Sequence, residues 1–144
     1  MPAPQAILLI GIPAAGKSSF ARERLFDSHV RINLDMLRTR PREKRLLDAC
    51  LQGRISFVVD NTNVTCTARA RYIPAAREAG FRVIGYVFEP NASACIERNA
   101  CRDRVVPGAV IRNLHRQMES PSMDEGFDEI HSVRLEHGGF TILS

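Results

Sequence analysis

Residues 5–19 read Gln5-Ala6-Ile7-Leu8-Leu9-Ile10-Gly11-Ile12-Pro13-Ala14-Ala15-Gly16-Lys17-Ser18-Ser19: an apolar run, a Gly/Pro/Ala turn and the start of a helix. The uninterrupted stretch Gln5–Gly11 has the composition of a strand buried on both faces, which predicts a parallel sheet covered by helices. Gly11 through Ser18 fits the pattern G-x-x-x-x-G-K-[ST] in full, in the strand-then-helix context that a phosphate-binding loop (Walker A) requires. Gly11 and Gly16 permit backbone conformations and close approaches that a Cβ would obstruct. The turn Pro13-Ala14-Ala15-Gly16 and the first helical residues Lys17, Ser18 and Ser19 then direct backbone N–H groups and the positive end of the helix dipole at a phosphate. Lys17 brings a compact charge to the β- and γ-phosphates, and the Ser18 hydroxyl is a direct ligand for Mg²⁺. The stretch therefore predicts a site for Mg²⁺ with ATP or another nucleoside triphosphate. It does not say whether the phosphoryl group passes to water or to an acceptor.

Outward from this loop, strands alternate with helices. Apolar strands are expected at Val30–Asn33, Ile55–Asp60, Phe81–Glu89, Glu129–Glu136 and Phe140–Leu143. Helices are expected from the loop to near Asp27, and at Leu34–Thr39, Glu43–Leu51, Thr65–Ala79, Asn91–Arg102 and Pro107–Met118. The order implies an α/β fold with three layers and a mainly parallel sheet, formed by one domain over residues 1–144.

Composition narrows the class. The chain has 144 residues, 44% hydrophobic and 25% charged, with no Trp, as expected of one globular domain with an aliphatic core. The N-terminal apolar run is too short to cross a membrane and has no basic segment before it, so neither an anchor nor a leader is expected. Cys50, Cys66, Cys95 and Cys101 form no C-x-x-C pair and have no His at ligand spacing, so reduced thiols in a cytoplasmic protein are expected. The net charge of +4 suits anionic partners, and almost all cations are Arg, Lys17 and Lys44 being the only lysines.

Four further clusters carry candidate chemistry. Asp35 and Arg38 in Ile32-Asn33-Leu34-Asp35-Met36-Leu37-Arg38 share a helical face near the loop, at the sheet edge where open α/β folds bind ligands. Asp35 either deprotonates an acceptor hydroxyl or caps a helix. Asp60, in Val59-Asp60-Asn61-Thr62-Asn63, ends a buried strand where a carboxylate supports Mg²⁺ through water. Arg98, Arg102 and Arg104 either form a lid over the transferring phosphoryl group or a solvated charged face. Arg40, Arg42, Lys44 and Arg45 form a basic run that either tracks a nucleic-acid backbone or faces water.

At this point the chain resembles the kinase module of the polynucleotide 5′-hydroxyl kinases. The matching pieces are G-I-P-A-A-G-K-S, I-N-L-D-M-L-R, V-D-N-T-N-V-T, R-A-R-Y-I-P-A-A-R-E-A-G, C-I-E-R-N-A-C-R-D-R-V-V-P and E-S-P-S-M-D-E-G-F-D-E-I, in family order over most of the chain. The resemblance implies a P-loop kinase fold with an Arg-bearing lid at about residues 98–122 and the Asp60 strand beside the loop strand. It implies Asp35 as general base, Arg38 on an acceptor phosphate, and Arg102, with Arg98 close by, on the donor. These kinases are often fused to a phosphatase, for which the 144 residues leave no room, and the segment from Asp35 to Asp60 is short. The expected activity is Mg²⁺-dependent transfer of the ATP γ-phosphate to the 5′-OH of DNA or RNA. The same chemistry on a nucleoside, sugar or antibiotic, and an ATP-binding or ATPase module of a larger assembly, are the alternatives.

Overall fold

Alternation along β1 (Gln5–Ile10) builds the two halves of the interior in the computed structural model, which describes residues 2–88, 106–136 and 139–143. Ala6, Leu8 and Ile10 point into one buried cluster, with Phe57, Tyr72, Ile73 and Phe81. Ile7 and Leu9 point into the other, with Phe20, Val58, Phe88 and Ile111. A strand with both faces buried has no polar side, which is why residues 6–10 are apolar without a break.

Around β1 lie β2 (Val30–Ile32), β3 (Phe57–Val59), β4 (Arg82–Phe88), β5 (Glu129–Glu136) and β6 (Gly139–Leu143). The order is β2-β3-β1-β4-β5-β6. The β3–β1, β1–β4, β2–β3 and β4–β5 pairs are parallel, with Leu8 opposite Val59 and Ile10 opposite Val87; β5 and β6 form an antiparallel pair. The fold is thus the expected α/β sandwich around a mostly parallel sheet, with the Asp60 strand beside the loop strand.

The helices are α1 (Lys17–Arg24), α2 (Leu34–Leu37), α3 (Arg40–Gly53), α4 (Cys66–Arg69), α5 (Ile73–Glu78) and α6 (Gly108–Gln117). Proline accounts for two departures from periodicity. The expected helix Thr65–Ala79 is two helices, because Pro74 lacks an N–H and its ring collides with a carbonyl four residues back; it sits in the first turn of α5. The helix expected from Glu43 starts earlier, at Arg40, because Pro41 is accommodated in the first turn of α3, which is capped by Thr39 accepting from the Arg42 N–H. The α1 helix ends at Arg24, short of Asp27. The expected helix Asn91–Arg102, with Cys95, Cys101, Arg98, Arg102 and Arg104, lies outside the described residues. Among the described residues, no helix is long and apolar enough to cross a membrane.

The segment Glu125-Gly126-Phe127-Asp128 clamps the chain back onto the sheet. Phe127 lies over β4, where a Cβ on Gly85 would meet its ring at 2.8 Å. Asp128 accepts from the Val83 N–H at 2.8 Å and donates its own N–H to the Val83 carbonyl at 2.8 Å. Gly126 has φ +110°, and a Cβ there would meet Arg77 at 2.7 Å, so two constraints require glycine. Glu125 pairs with Arg69, whose guanidinium is fully buried; Nε donates to Oε1 at 2.8 Å and Nη2 to Oε2 at 3.2 Å. The same carboxylate accepts from the Ser122 N–H at 2.9 Å, closing a capping box.

Burial alone would raise the Glu125 carboxyl, but its hydrogen bonds from Arg69 and Ser122 and the Arg69 charge outweigh that and hold it below the ordinary range. A carboxylate lowered on folding stabilises the native state above its unfolded value, and that contribution disappears as pH falls through the lowered value. Glu125→Gln should therefore cost about 3 kcal/mol at neutral pH, because it leaves a buried guanidinium without its counter-charge. The deficit should shrink as unfolding is followed from pH 7 into the acid range. A deficit that stays constant with pH would place the effect in packing instead.

Candidate active site

Parallel strands end at one edge of the sheet, so the segments following β1, β2 and β3 converge there. After β1 the loop packs tightly. A Cβ on Gly11 would meet the Phe88 Cβ at 3.1 Å, and Gly16 takes φ +101°. Ala14 holds φ 65° although it carries a Cβ, a local cost of about 1–2 kcal/mol for an L-residue. Lys17 is buried, and its Nζ donates to the Ile12 carbonyl at 2.8 Å, curling the ammonium over the loop.

One turn into α1, the Ser18 hydroxyl donates to Asp60 Oδ2 at 2.9 Å. That juxtaposition joins two residues 42 positions apart, and it exists because β3 pairs with β1. Arg31, the central residue of β2, completes the group: its Nε donates to Asp60 Oδ2 at 2.8 Å and its Nη2 to Ser18 Oγ at 3.4 Å. Sequence reading missed Arg31, because only the β2–β3 pairing brings it to Asp60. The hydroxyl and carboxylate are hard oxygen donors of the kind Mg²⁺ takes, so the pair fits that ion.

The residues after Asp60 fasten the edge together. The Gly11 N–H donates to the Thr62 carbonyl at 2.9 Å. Asn63, buried and at φ 49°, donates through Nδ2 to the Leu9 carbonyl at 2.8 Å. Asn61 accepts from the Leu34 N–H at 2.9 Å and donates to Glu43 Oε2 at 3.0 Å and the Tyr72 hydroxyl at 3.1 Å. Asn33 donates to the Asp60 carbonyl at 2.6 Å.

Asn33 also caps α2, accepting from the Met36 N–H at 2.8 Å. The capping oxygen is therefore not that of Asp35, which lies in the first turn of α2. A cavity of about 790 Å³ unites the two sides: Lys17 and Ser18 line it from the loop, Asp60 and Asn61 from the end of β3, and Asp35 and Arg40 from α2 and α3. Pro13, Ala14, Gly16 and Ser19 also line it, whereas Gly11 and Ala15 lie beneath in the packed base of the loop. Arg38 is not among its lining residues; it ends α2 with φ 79°, its N–H on the Leu34 carbonyl at 2.7 Å. Arg98 and Arg102 lie outside the described residues.

Arg40 is held from behind. Its Nη1 donates to Glu43 Oε1 at 2.8 Å and reaches the Tyr72 hydroxyl at 3.4 Å. Glu43 is buried, and Tyr72 donates to it at 3.1 Å. Burial and the Glu43 charge push the Tyr72 hydroxyl above its ordinary value, so it remains a protonated donor.

The hub at Asn63 gives a stability prediction. Asn63→Ala removes the bond to Leu9 and places a poorer residue at positive φ, whereas Asn63→Gly removes only the bond. Urea unfolding should show a loss of about 2–3 kcal/mol for alanine and about 1 kcal/mol less for glycine. Equal losses would mean that backbone conformation contributes nothing there.

Several proteins similar to this chain are named as kinases. A bifunctional polynucleotide phosphatase/kinase of Schizosaccharomyces pombe is 24% identical over 135 residues, which cover 90% of this chain and 33% of that protein. The chain thus spans about a third of that curated relative's length. A fungal RNA kinase superposes with TM-score 0.70 at 16% identity, over 94% of this chain and 40% of that one. A gluconokinase from Sinorhizobium meliloti superposes with TM-score 0.65 at 17% identity, over 95% and 86%. These two likenesses concern the fold, and the name of the first relative includes a polynucleotide kinase. The AAA domain family matches residues 38–121, more than half of the sequence. With the P-loop kinase architecture described above, the chain belongs to that AAA domain family.

Proposed function

We propose that this protein is an ATP-dependent kinase that transfers the γ-phosphate to a hydroxyl, that of a DNA or RNA 5′ end. The observation that carries the reading is the shared cavity: a phosphate loop with Lys17 on one side and the carboxylate of Asp35 on the other, with Ser18 and Asp60 between them. An ATPase needs only the first side. A kinase needs both, because an acceptor hydroxyl must be oriented and relieved of its proton beside the donor.

In this reading the loop N–H groups from Ala14 to Ser19 and the Lys17 ammonium hold the donor phosphates. Ser18 would hold Mg²⁺ directly and Asp60 through water, and the ion would supply positive charge to offset that of the donor phosphates. Arg31 supplies a neighbouring positive charge that keeps the Asp60 carboxylate turned toward Ser18. Asp35 accepts the proton of the attacking hydroxyl, and Arg38 serves an acceptor phosphate, as the resemblance implies. Arg102, with Arg98 nearby, covers the transferring group from a lid at about residues 98–122. Choice of a nucleic-acid end rests on the motif resemblance and on the curated relative from Schizosaccharomyces pombe.

The test is transfer from γ-labelled ATP to 5′-OH oligonucleotides, 3′-mononucleotides, nucleosides and sugars in parallel, compared as kcat/KM. Highest use of oligonucleotides supports the reading, highest use of a sugar or nucleoside assigns a small acceptor, and hydrolysis alone returns the ATPase alternative. Lys17→Ala and Asp35→Ala should both abolish transfer with the fold intact. Only the lysine variant should weaken ATP binding, because Asp35 acts on the acceptor. Near-normal turnover of Asp35→Ala would remove that residue from the chemistry.

Arg102→Ala should lower kcat by about two to four orders of magnitude while changing the KM for ATP little, since a lid guanidinium acts mainly as charge develops in the transition state. Arg102→Lys should recover part of the loss, a point charge being a poor substitute for a planar fork. An unchanged kcat would place Arg102 on a solvated face.

A further inference from the structure

The basic run at the start of α3 has one member that differs from the rest. All four residues are exposed, but Arg42, Lys44 and Arg45 are absent from the cavity lining, whereas Arg40 lines the cavity that Asp35 also lines. We infer that Arg40 is a specificity-determining residue, which binds a phosphate carried by the acceptor beside its reacting hydroxyl. The inference rests on the kinase reading above and adds to it a residue that the family motifs do not name.

Three observations support it. First, Arg40 is anchored through one nitrogen only. Its hydrogen bonds leave from Nη1, to Glu43 Oε1 and the Tyr72 hydroxyl, so Nε and Nη2 remain available as donors. A guanidinium fixed at one corner presents its other donors in a set direction, which suits two-point recognition of a phosphate and reduces the rotamer entropy lost on binding. Second, its anchor is itself rigid. Glu43 is buried and receives bonds from Tyr72 at 3.1 Å and from Asn61 at 3.0 Å, so the counter-charge cannot swing into the cavity to cancel the arginine. Third, Asn61 ties this anchor to the acceptor side, because its Oδ1 accepts from the Leu34 N–H, one residue before Asp35. The position of Arg40 relative to Asp35 is therefore set through Asn61 and not by the short helix α2 alone.

The contact is a charge-assisted hydrogen bond to a phosphate in a partly enclosed site, for which a preference of roughly tenfold to more than a hundredfold is expected. The experiment uses the full chain with ADP and Mg²⁺ filling the donor site. Calorimetry then compares cytidine 3′-monophosphate with cytidine, and a 5′-OH cytidine dinucleotide is the third ligand.

Wild type should prefer cytidine 3′-monophosphate over cytidine by that factor. In Arg40→Ala the ratio should fall by about threefold or more, any remainder being the share that Arg38 supplies to the same phosphate, and Arg40→Lys should lie between. Because Arg40→Ala leaves Glu43 without its cation, the same ratio is measured in Arg40→Ala/Glu43→Gln, which removes that charge as well. Absence of the preference in wild type, or its full retention in Arg40→Ala and in the double variant, overturns the inference. A preference shared by the dinucleotide indicates a phosphodiester-bearing chain end; one confined to the monoester indicates a mononucleotide, and both support the contact. Phosphoryl transfer to the same three ligands is measured separately. Arg40-dependent binding without transfer keeps the site and defeats the kinase reading, whereas transfer with a preference independent of Arg40 keeps the kinase and defeats the site.

Discussion

The β1–β3 pairing is the constraint on which this structure depends. It sets Leu8 opposite Val59, and the chain that leaves each strand is then stitched to the other, by the Gly11 N–H on the Thr62 carbonyl and by Asn63 on the Leu9 carbonyl. The phosphate loop cannot shift along the sheet without breaking those bonds, and leaving buried backbone groups unpaired is costly. Ser18 meets Asp60 for the same reason. The hydroxyl is carried by the helix after β1 and the carboxylate by the end of β3, so their separation of 2.9 Å is a consequence of strand register.

From that hub, polar connections run both ways. Toward the acceptor side, Asn61 links Leu34, Glu43 and Tyr72, fixing α2 and the start of α3 around the cavity. Toward the C-terminal side, the Asn63 carbonyl accepts from Arg69 Nη1 at 2.9 Å, and Arg69 passes the connection to Glu125. The buried arginine thus couples the segment beneath the donor site to the clamp that returns the chain from α6 to the sheet. Buried ion pairs add little net stability over apolar residues, but removing one partner leaves an uncompensated charge. Their contribution here is to exclude other arrangements of those segments.

Charge at the site alternates. Lys17, Arg31 and Arg40 lie among Asp35, Asp60 and Glu43, and Arg31 and Arg40 each have a carboxylate as a direct partner. A cavity that must receive polyanions gains from resident cations held in place, because the charges are then oriented before the substrate arrives. Arg31 and Arg40 come from different segments and lie on different carboxylates, one beside the phosphate loop and one beside α2.

Much of this was legible in one dimension, for a local reason. Gly11 through Ser18 form a contiguous loop whose chemistry lies in backbone N–H groups and two adjacent side chains, so a short pattern contains it all. The apolar run before it announced a strand buried on both faces, and with the alternating elements that sufficed for the α/β sandwich. Proline is at home in a first turn, so α3 starts at Arg40, before the expected Glu43, and Pro74 opens a separate helix within the stretch expected as one helix from Thr65 to Ala79. Asp35 could be named but not distinguished from a cap until Asn33 was seen to occupy that role. Arg31, Glu43, Tyr72 and the cavity position of Arg40 were decided by tertiary structure alone. Their partners are Asp60, Asn61 and one another, brought together by strand pairing and helix packing, and no spacing along the chain encodes a contact of that kind.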